Sequence, residues 1–98
     1  MVGLKARETS QALTKKGFVA NSRSDHVWYT LIVNGKDVGV WTRISHGSGK
    51  NDIPIGIQHK MARQIGLKYK QFIEYVECTL DYSNYIRTLR ENGTIPNS

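Results

Sequence analysis

The chain has 98 residues, enough for one domain and too few for two independent hydrophobic cores. Its 14 lysines and arginines against 8 acidic residues give a net charge of +6, which favours a polyanionic partner such as nucleic acid. The sequence shows no secretory signal, no apolar run near the roughly 20 residues that span a membrane, and no second cysteine to pair with Cys78, so we expect a cytoplasmic protein that does not associate with membranes.

The N-terminal elements are predicted to be a helix and a short strand. Residues 6–16 have an acidic start and a basic end at Lys15 and Lys16, and Gly17 follows them. This arrangement suits the helix dipole and a glycine just beyond the last helical turn. Residues 18–22 then begin an extended segment.

A β-hairpin is predicted next, because residues 27–33 and 38–45 are rich in β-branched and aromatic side chains. They flank the turn sequence Asn34-Gly35-Lys36-Asp37. Pairing Val33 with Val38 makes one face of the hairpin almost wholly apolar and places Val27 opposite Ile44 and Tyr29 opposite Thr42.

The other face of the hairpin holds two tryptophans and an arginine, and its residues are His26, Trp28, Thr30, Ile32, Gly39, Trp41, Arg43 and Ser45. The tryptophans either stack unpaired RNA bases or are covered by the C-terminal helices or a second subunit. We expect cover, because the amphipathic segment 69–89 needs a surface to pack against.

The remaining sequence predicts a loop and helices. Residues 46–54 form the loop, and a basic amphipathic helix from Ile55 repeats apolar residues at Ile57, Met61 and Ile65 and closes at Gly66. Two further helical segments, 69–80 and one capped by Asp81, precede a frayed tail from Gly93. The fold class is α+β, in the order α-β-β-β-α with an antiparallel three-stranded sheet. Residues 1–67 form the main unit and 68–98 a C-terminal helical extension of the same domain.

Two histidines are predicted at the open end of the hairpin. Antiparallel pairing places His26 opposite Ser45 and His46 opposite Asp25, on opposite faces. An imidazole titrates near neutral pH, and it can take the proton of an RNA 2′-OH or protonate the departing 5′-oxygen. The competing interpretation is a solvated polar residue at a strand end. Because the two histidines face opposite ways, we predict no metal site made from them and Asp25.

Cationic residues are predicted to contact RNA phosphates: Arg43, Lys50, His59, Lys60 and Arg63. The loop HGSGK at 46–50 fits neither the P-loop nor the dinucleotide-binding spacing, so we expect no cofactor. Cys78 lies in an apolar helical stretch and is interpreted as a buried structural thiol.

Several short segments together resemble the HicA toxin family: LTKKGF at 13–18, RSDHVWYTL at 23–31, RISHGSGKNDIP at 43–54 and ARQIGL at 62–67. In that family a helix ends in Lys-Gly-Phe or similar, and a Gly-Ser-His motif opens the second strand. A later histidine follows the hairpin, and the final helix ends near Ile-Gly-Leu.

The resemblance implies a double-stranded-RNA-binding-like fold and an endoribonuclease that cleaves mRNA and is neutralised by a HicB-like antitoxin. It makes His26 the catalytic histidine and matches His46 to the later, secondary one. Here Ser24-Asp25 replace Gly-Ser, so a carboxylate lies beside the imidazole. Asp25 either orients a protonated imidazole or repels a phosphate.

Two alternatives belong to other classes of protein. The first is a non-catalytic RNA-binding module that uses the cationic residues above. The second is a protein-interaction domain, in which the hairpin and the C-terminal helices, including Trp41 and Phe72, form a homodimer or bind an antitoxin.

Overall fold

The computed structural model describes residues 4–23, 25–45, 52–77 and 79–96, and all structural statements concern these ranges. The elements in chain order are α1 (Ala6–Lys15), β1 (Phe18–Arg23), β2 (His26–Val33), β3 (Lys36–Ser45), α2 (Ile55–Gln64), α3 (Tyr69–Val76) and α4 (Tyr82–Glu91). The predicted α+β class and the antiparallel three-stranded sheet are confirmed. None of the helices in the described ranges is long and apolar enough to cross a lipid bilayer.

The central strand of the sheet is β2, which pairs with β1 on one side and β3 on the other. The predicted pair Tyr29–Thr42 is confirmed, as is the pair Val27–Ile44. The predicted pairing of Val33 with Val38 is wrong, because Val33 pairs with Lys36. The hairpin turn is therefore two residues shorter than predicted.

The turn chemistry explains this difference. Asn34 and Gly35 both have positive φ, 52° and 78°, as a two-residue type I′ turn requires. The register changes between Thr30 and Ile32, where the extra residues of β3 form a bulge. Gly39 lies in this bulge with φ 81° and donates its N–H to the side chain of Asp37 at 2.8 Å.

The first two helices pack against one face of the sheet. The hydroxyls of Ser10 in α1 and Tyr29 in β2 lie 2.6 Å apart, and Thr42 in β3 donates to the side-chain oxygen of Gln64 in α2 at 2.6 Å. Tyr29 and Thr42 are directly opposite one another and therefore point to the same side.

The C-terminal helices cover this face too. The ring of Tyr85 in α4 lies 6.2 Å from Phe18 in β1 and 4.8 Å from Tyr75 in α3. Phe18 pairs with Leu31, on the same side as Tyr29. The prediction that the C-terminal helices cover the tryptophans is therefore wrong, and Trp41 remains 41% exposed on the opposite face.

Two further predictions about burial are corrected. Met61 and Ile65 are buried as predicted, but Ile57 is 45% exposed and the next residue, Gln58, is buried instead. Ile95 was assigned to a frayed tail, yet it is only 4% exposed and belongs to the core.

Lys16 joins the end of α1 to the end of α3. Its buried side chain donates to the carbonyl oxygens of Tyr75 at 2.5 Å and Leu80 at 2.9 Å, and its Nζ lies 4.7 Å from the centre of the Tyr75 ring. Carbonyls at a helix C-terminus have no partner within the helix, so a lysine there satisfies them.

Replacing Lys16 by Met should lower the free energy of unfolding by about 2 kcal/mol, because buried carbonyls lose their donor. Lys15→Met is the matched control, because Lys15 is exposed and makes none of these contacts. This substitution should change the free energy of unfolding by less than about 0.5 kcal/mol. Urea unfolding of both variants measures the difference. Equal stability of the two variants would contradict the anchoring role of Lys16.

Two helices end in the same glycine motif. After α2, Gly66 donates to Arg63 O and Leu67 donates to Ala62 O. After α4, Gly93 and Thr94 repeat this pattern, and both glycines have φ near +82°. These are Schellman motifs, which favour glycine at the left-handed position. Of these two glycines only Gly66 is crowded, because a Cβ added there would lie 2.6 Å from the side chain of Leu89.

The two glycines permit a matched comparison. Gly93→Ala should cost about 1 to 2 kcal/mol through backbone strain alone. Gly66→Ala should cost about 2 kcal/mol more, because the methyl group also displaces Leu89 from the core. Thermal unfolding of the two variants tests this order, and a Gly66→Ala protein as stable as Gly93→Ala would contradict the close packing of α4 on Gly66.

Candidate functional site

His26 is the first residue of β2 and is half-buried. Its backbone pairs with Arg23 of β1 and Ser45 of β3, which confirms the predicted opposition of His26 and Ser45. Asp25, in the short link before it, is exposed. His26 is thus held between two neighbouring strands at the open end of the hairpin.

A cleft of about 320 Å³ opens between this end of the sheet and α2. Its described lining combines one imidazole, two cationic side chains and an apolar wall, and comprises His26, Arg43, Ile44, Asp52, Ile53, Pro54, Ile57, Lys60, Met61 and Gln64. We call this the His26 cleft. It has the size and mixed polarity of a small-ligand site, enough for a segment of a larger ligand.

The charge balance of the His26 cleft is positive. Its one described carboxylate, Asp52, is paired with Lys5 at 2.9 Å, and this hydrogen bond raises the pKa of Lys5. Neither Arg43 nor Lys60 forms an ion pair with another described residue. The cleft therefore offers two cationic groups to an anionic ligand, while its acidic group is already neutralised.

The spacing of α2 divides the predicted cationic residues into two groups. The residues that line the cleft follow a helical repeat, i, i+3, i+4 and i+7, from Ile57 to Gln64. Lys60 belongs to this side. His59 and Arg63 lie on other sides of the helix, and the His59 ring stacks on Tyr69 with ring centres 4.0 Å apart.

The structure therefore brings together three of the predicted site residues, His26, Arg43 and Lys60, and separates His59 and Arg63 from them. Lys50 and His46 lie outside the described residues, as does Cys78. No group of three or more histidine, cysteine or acidic residues that could hold a metal ion occurs in the described part of the chain.

Sequence reasoning missed the two other polar residues that line the cleft, Gln64 and Asp52. Gln64 could be predicted from the sequence, because it lies four residues after Lys60 on the same helical face. Asp52 and its ion pair with Lys5 could not be predicted from the sequence, because the two residues are distant in the chain. They are brought together by an isolated backbone bridge.

The exposed face of the sheet carries an aromatic and cationic group beside the cleft. The rings of Trp28 and Trp41 are 5.0 Å apart at an interplanar angle of 43°, and the guanidinium of Arg43 lies 5.4 Å from the centre of the Trp28 ring. We call these three residues the tryptophan cluster. Arg43 belongs both to this cluster and to the His26 cleft.

This arrangement can bind an anion and exchange a proton with it. A guanidinium and an ammonium bind phosphate oxygens strongly, and an imidazole can act as a general acid or base. No family model matches the chain, and no curated protein or solved structure shows a significant match to it. The resemblance to the HicA family therefore stays a prediction.

Proposed function

We propose that this protein is an endoribonuclease of the HicA type, which binds RNA at the His26 cleft and cleaves one phosphodiester there. The observation that carries the proposal is that His26, Arg43 and Lys60 line one cleft. An imidazole that shares a cleft with two cations suits phosphodiester chemistry, because the cations bind the phosphate while the imidazole moves the proton.

The reaction divides among these three side chains. Arg43 and Lys60 bind the non-bridging oxygens of the phosphate, and Arg43 can use two N–H donors at once. His26 takes the proton from the 2′-OH, and the 2′-oxygen then forms a bond to phosphorus. The bond from phosphorus to the 5′-oxygen breaks, and this oxygen takes a proton from water. The products are a 2′,3′-cyclic phosphate and a 5′-hydroxyl end.

Asp25 takes no step in this mechanism. Its side chain is exposed, and no hydrogen bond or ion pair joins it to another described residue. The carboxylate therefore lies in solvent, where water and salt screen its effect on a phosphate in the cleft.

Replacing His26 by Ala should lower the rate of RNA cleavage by roughly 100-fold or more, the typical contribution of a general acid or base. His59→Ala is the matched control, because His59 is an exposed histidine on the same helix as Lys60 but outside the cleft. Cleavage of end-labelled RNA by the wild type and both variants measures the rates. Each variant should bind RNA as the wild type does.

The outcomes separate cleavage from binding. Equal cleavage by the wild type and His26→Ala would contradict the catalytic role of His26. Salt-dependent RNA binding by a wild type that cleaves nothing would favour the non-catalytic module instead. A substrate with 2′-deoxyribose at the cleavage site should bind and remain intact, because the attacking hydroxyl is missing.

A further inference from the structure

We propose that the tryptophan cluster selects unpaired RNA, whose bases stack on Trp41 and Trp28 while a neighbouring phosphodiester enters the His26 cleft. This inference rests on the proposed function and names the class of RNA that the same site accepts.

Trp41, the exposed tryptophan of the cluster, lies on a face of the sheet that no described helix covers. All the helices that the structure describes around the sheet pack on the Tyr29 side, which leaves the other face open. Trp41 is 41% exposed there. Tryptophan is seldom left uncovered and contributes strongly to binding energy, so its exposure indicates a binding surface. The neighbouring strand β1 adds no cover, because Val19 is 57% exposed on the same face.

The charges around the tryptophan cluster complement a polyanion. Arg43 lies over the Trp28 ring, and Arg23, exposed in β1, pairs with His26 on this face. The whole chain carries a net charge of +6. Flat aromatic rings interleaved with arginines match a ligand that alternates flat bases with phosphates, which an acidic peptide does not.

The tryptophan rings suit unpaired RNA better than a duplex. In a duplex the faces of the bases are stacked on one another, so a protein contacts only phosphates, sugars and base edges. The Trp28 and Trp41 rings have no equivalent partner on such a helix. Unpaired nucleotides present free base faces, and stacking on an aromatic ring tolerates every base.

The tryptophan cluster and the His26 cleft form one continuous surface. Trp28 is two residues from His26 along β2, which places it about 7 Å away on the same side. Arg43 lies opposite Trp28 and also lines the cleft. A base on the cluster therefore places an adjoining phosphate beside His26.

The test compares RNA binding by the wild type with binding by two variants of Trp41. The probe is a single strand of about 12 nucleotides, within the usual site sizes, with 2′-O-methyl groups that prevent cleavage. The same strand annealed to its complement is the duplex control. Trp41→Leu keeps an apolar side chain but cannot stack, whereas Trp41→Phe keeps an aromatic ring.

We expect the single strand to bind at least tenfold more tightly than the duplex and to quench tryptophan fluorescence. Trp41→Leu should weaken binding of the single strand by roughly 5- to 100-fold, and Trp41→Phe should recover most of the loss. Circular dichroism checks that both variants fold.

Three results would overturn the proposal: equal affinity for duplex and single strand, wild-type affinity in Trp41→Leu, or a homodimer in sedimentation that Trp41→Leu dissociates. Stacking on Trp41 without any cleavage of ordinary RNA would support this proposal and contradict the catalytic one. Cleavage that requires His26 but not Trp41 would support the catalytic proposal and contradict the role of Trp41 in RNA selection.

Discussion

The side chain of Lys16 passes from the end of α1 into the interior and donates to the carbonyls of Tyr75 and Leu80. A buried amine with no acceptors would be costly, and so would buried carbonyls with no donor, so each group needs the other. This interaction holds the end of α3 and the start of the link to α4 beside α1. The C-terminal helices are therefore held on the side of the sheet that α1 already covers.

The position of the candidate site depends on this arrangement. With α3 and α4 packed on the Phe18 side, no described helix covers Trp41, and Trp28 is half-buried beside Trp41 and Arg43. α2 packs beside β3 through Gln64 and Thr42, and the His26 cleft lies between α2 and the end of the sheet. The same packing that builds the core thus leaves an exposed aromatic face next to a cationic cleft.

The burial of the C-terminal helices limits which residues could form a homodimer interface. Phe72 was predicted to contribute to an interface, but it is fully buried in the core and is not available to a second subunit. Of the two residues predicted at this interface, only Trp41 is exposed.

The elements were predictable from local chemistry. Rules that act within a few residues account for the helix that stops at Gly17 and for the strands that flank Asn34-Gly35. They also account for the helix cap at Asp81, whose side chain accepts the N–H of Asn84 at 2.8 Å. The apolar pattern of the strands pairs Val33 with Val38, whereas the chain pairs Val33 with Lys36. Positive φ at Asn34 and Gly35 fixes the shorter turn instead.

Burial was harder to predict, because it depends on contacts between distant parts of the chain. Lys15 and Lys16 look alike in sequence, and only the contact of Lys16 with Tyr75, 59 residues later, separates them. Ile57 fits the apolar pattern of α2 but lies at the exposed cleft, while Ile95 follows two turn residues and still enters the core. The candidate site was predicted in part, since His26, Arg43 and Lys60 meet but His59 and Arg63 do not.

The central claim is that RNA contacts the tryptophan cluster and the His26 cleft together. Nuclear magnetic resonance of the isotope-labelled protein, titrated with the 2′-O-methyl single strand, tests it most directly. We expect the indole signals of Trp28 and Trp41 to shift together with those of His26 and Lys60, while the signals of His59 stay unchanged. Shifts confined to His59, Arg63 and their neighbours would contradict it.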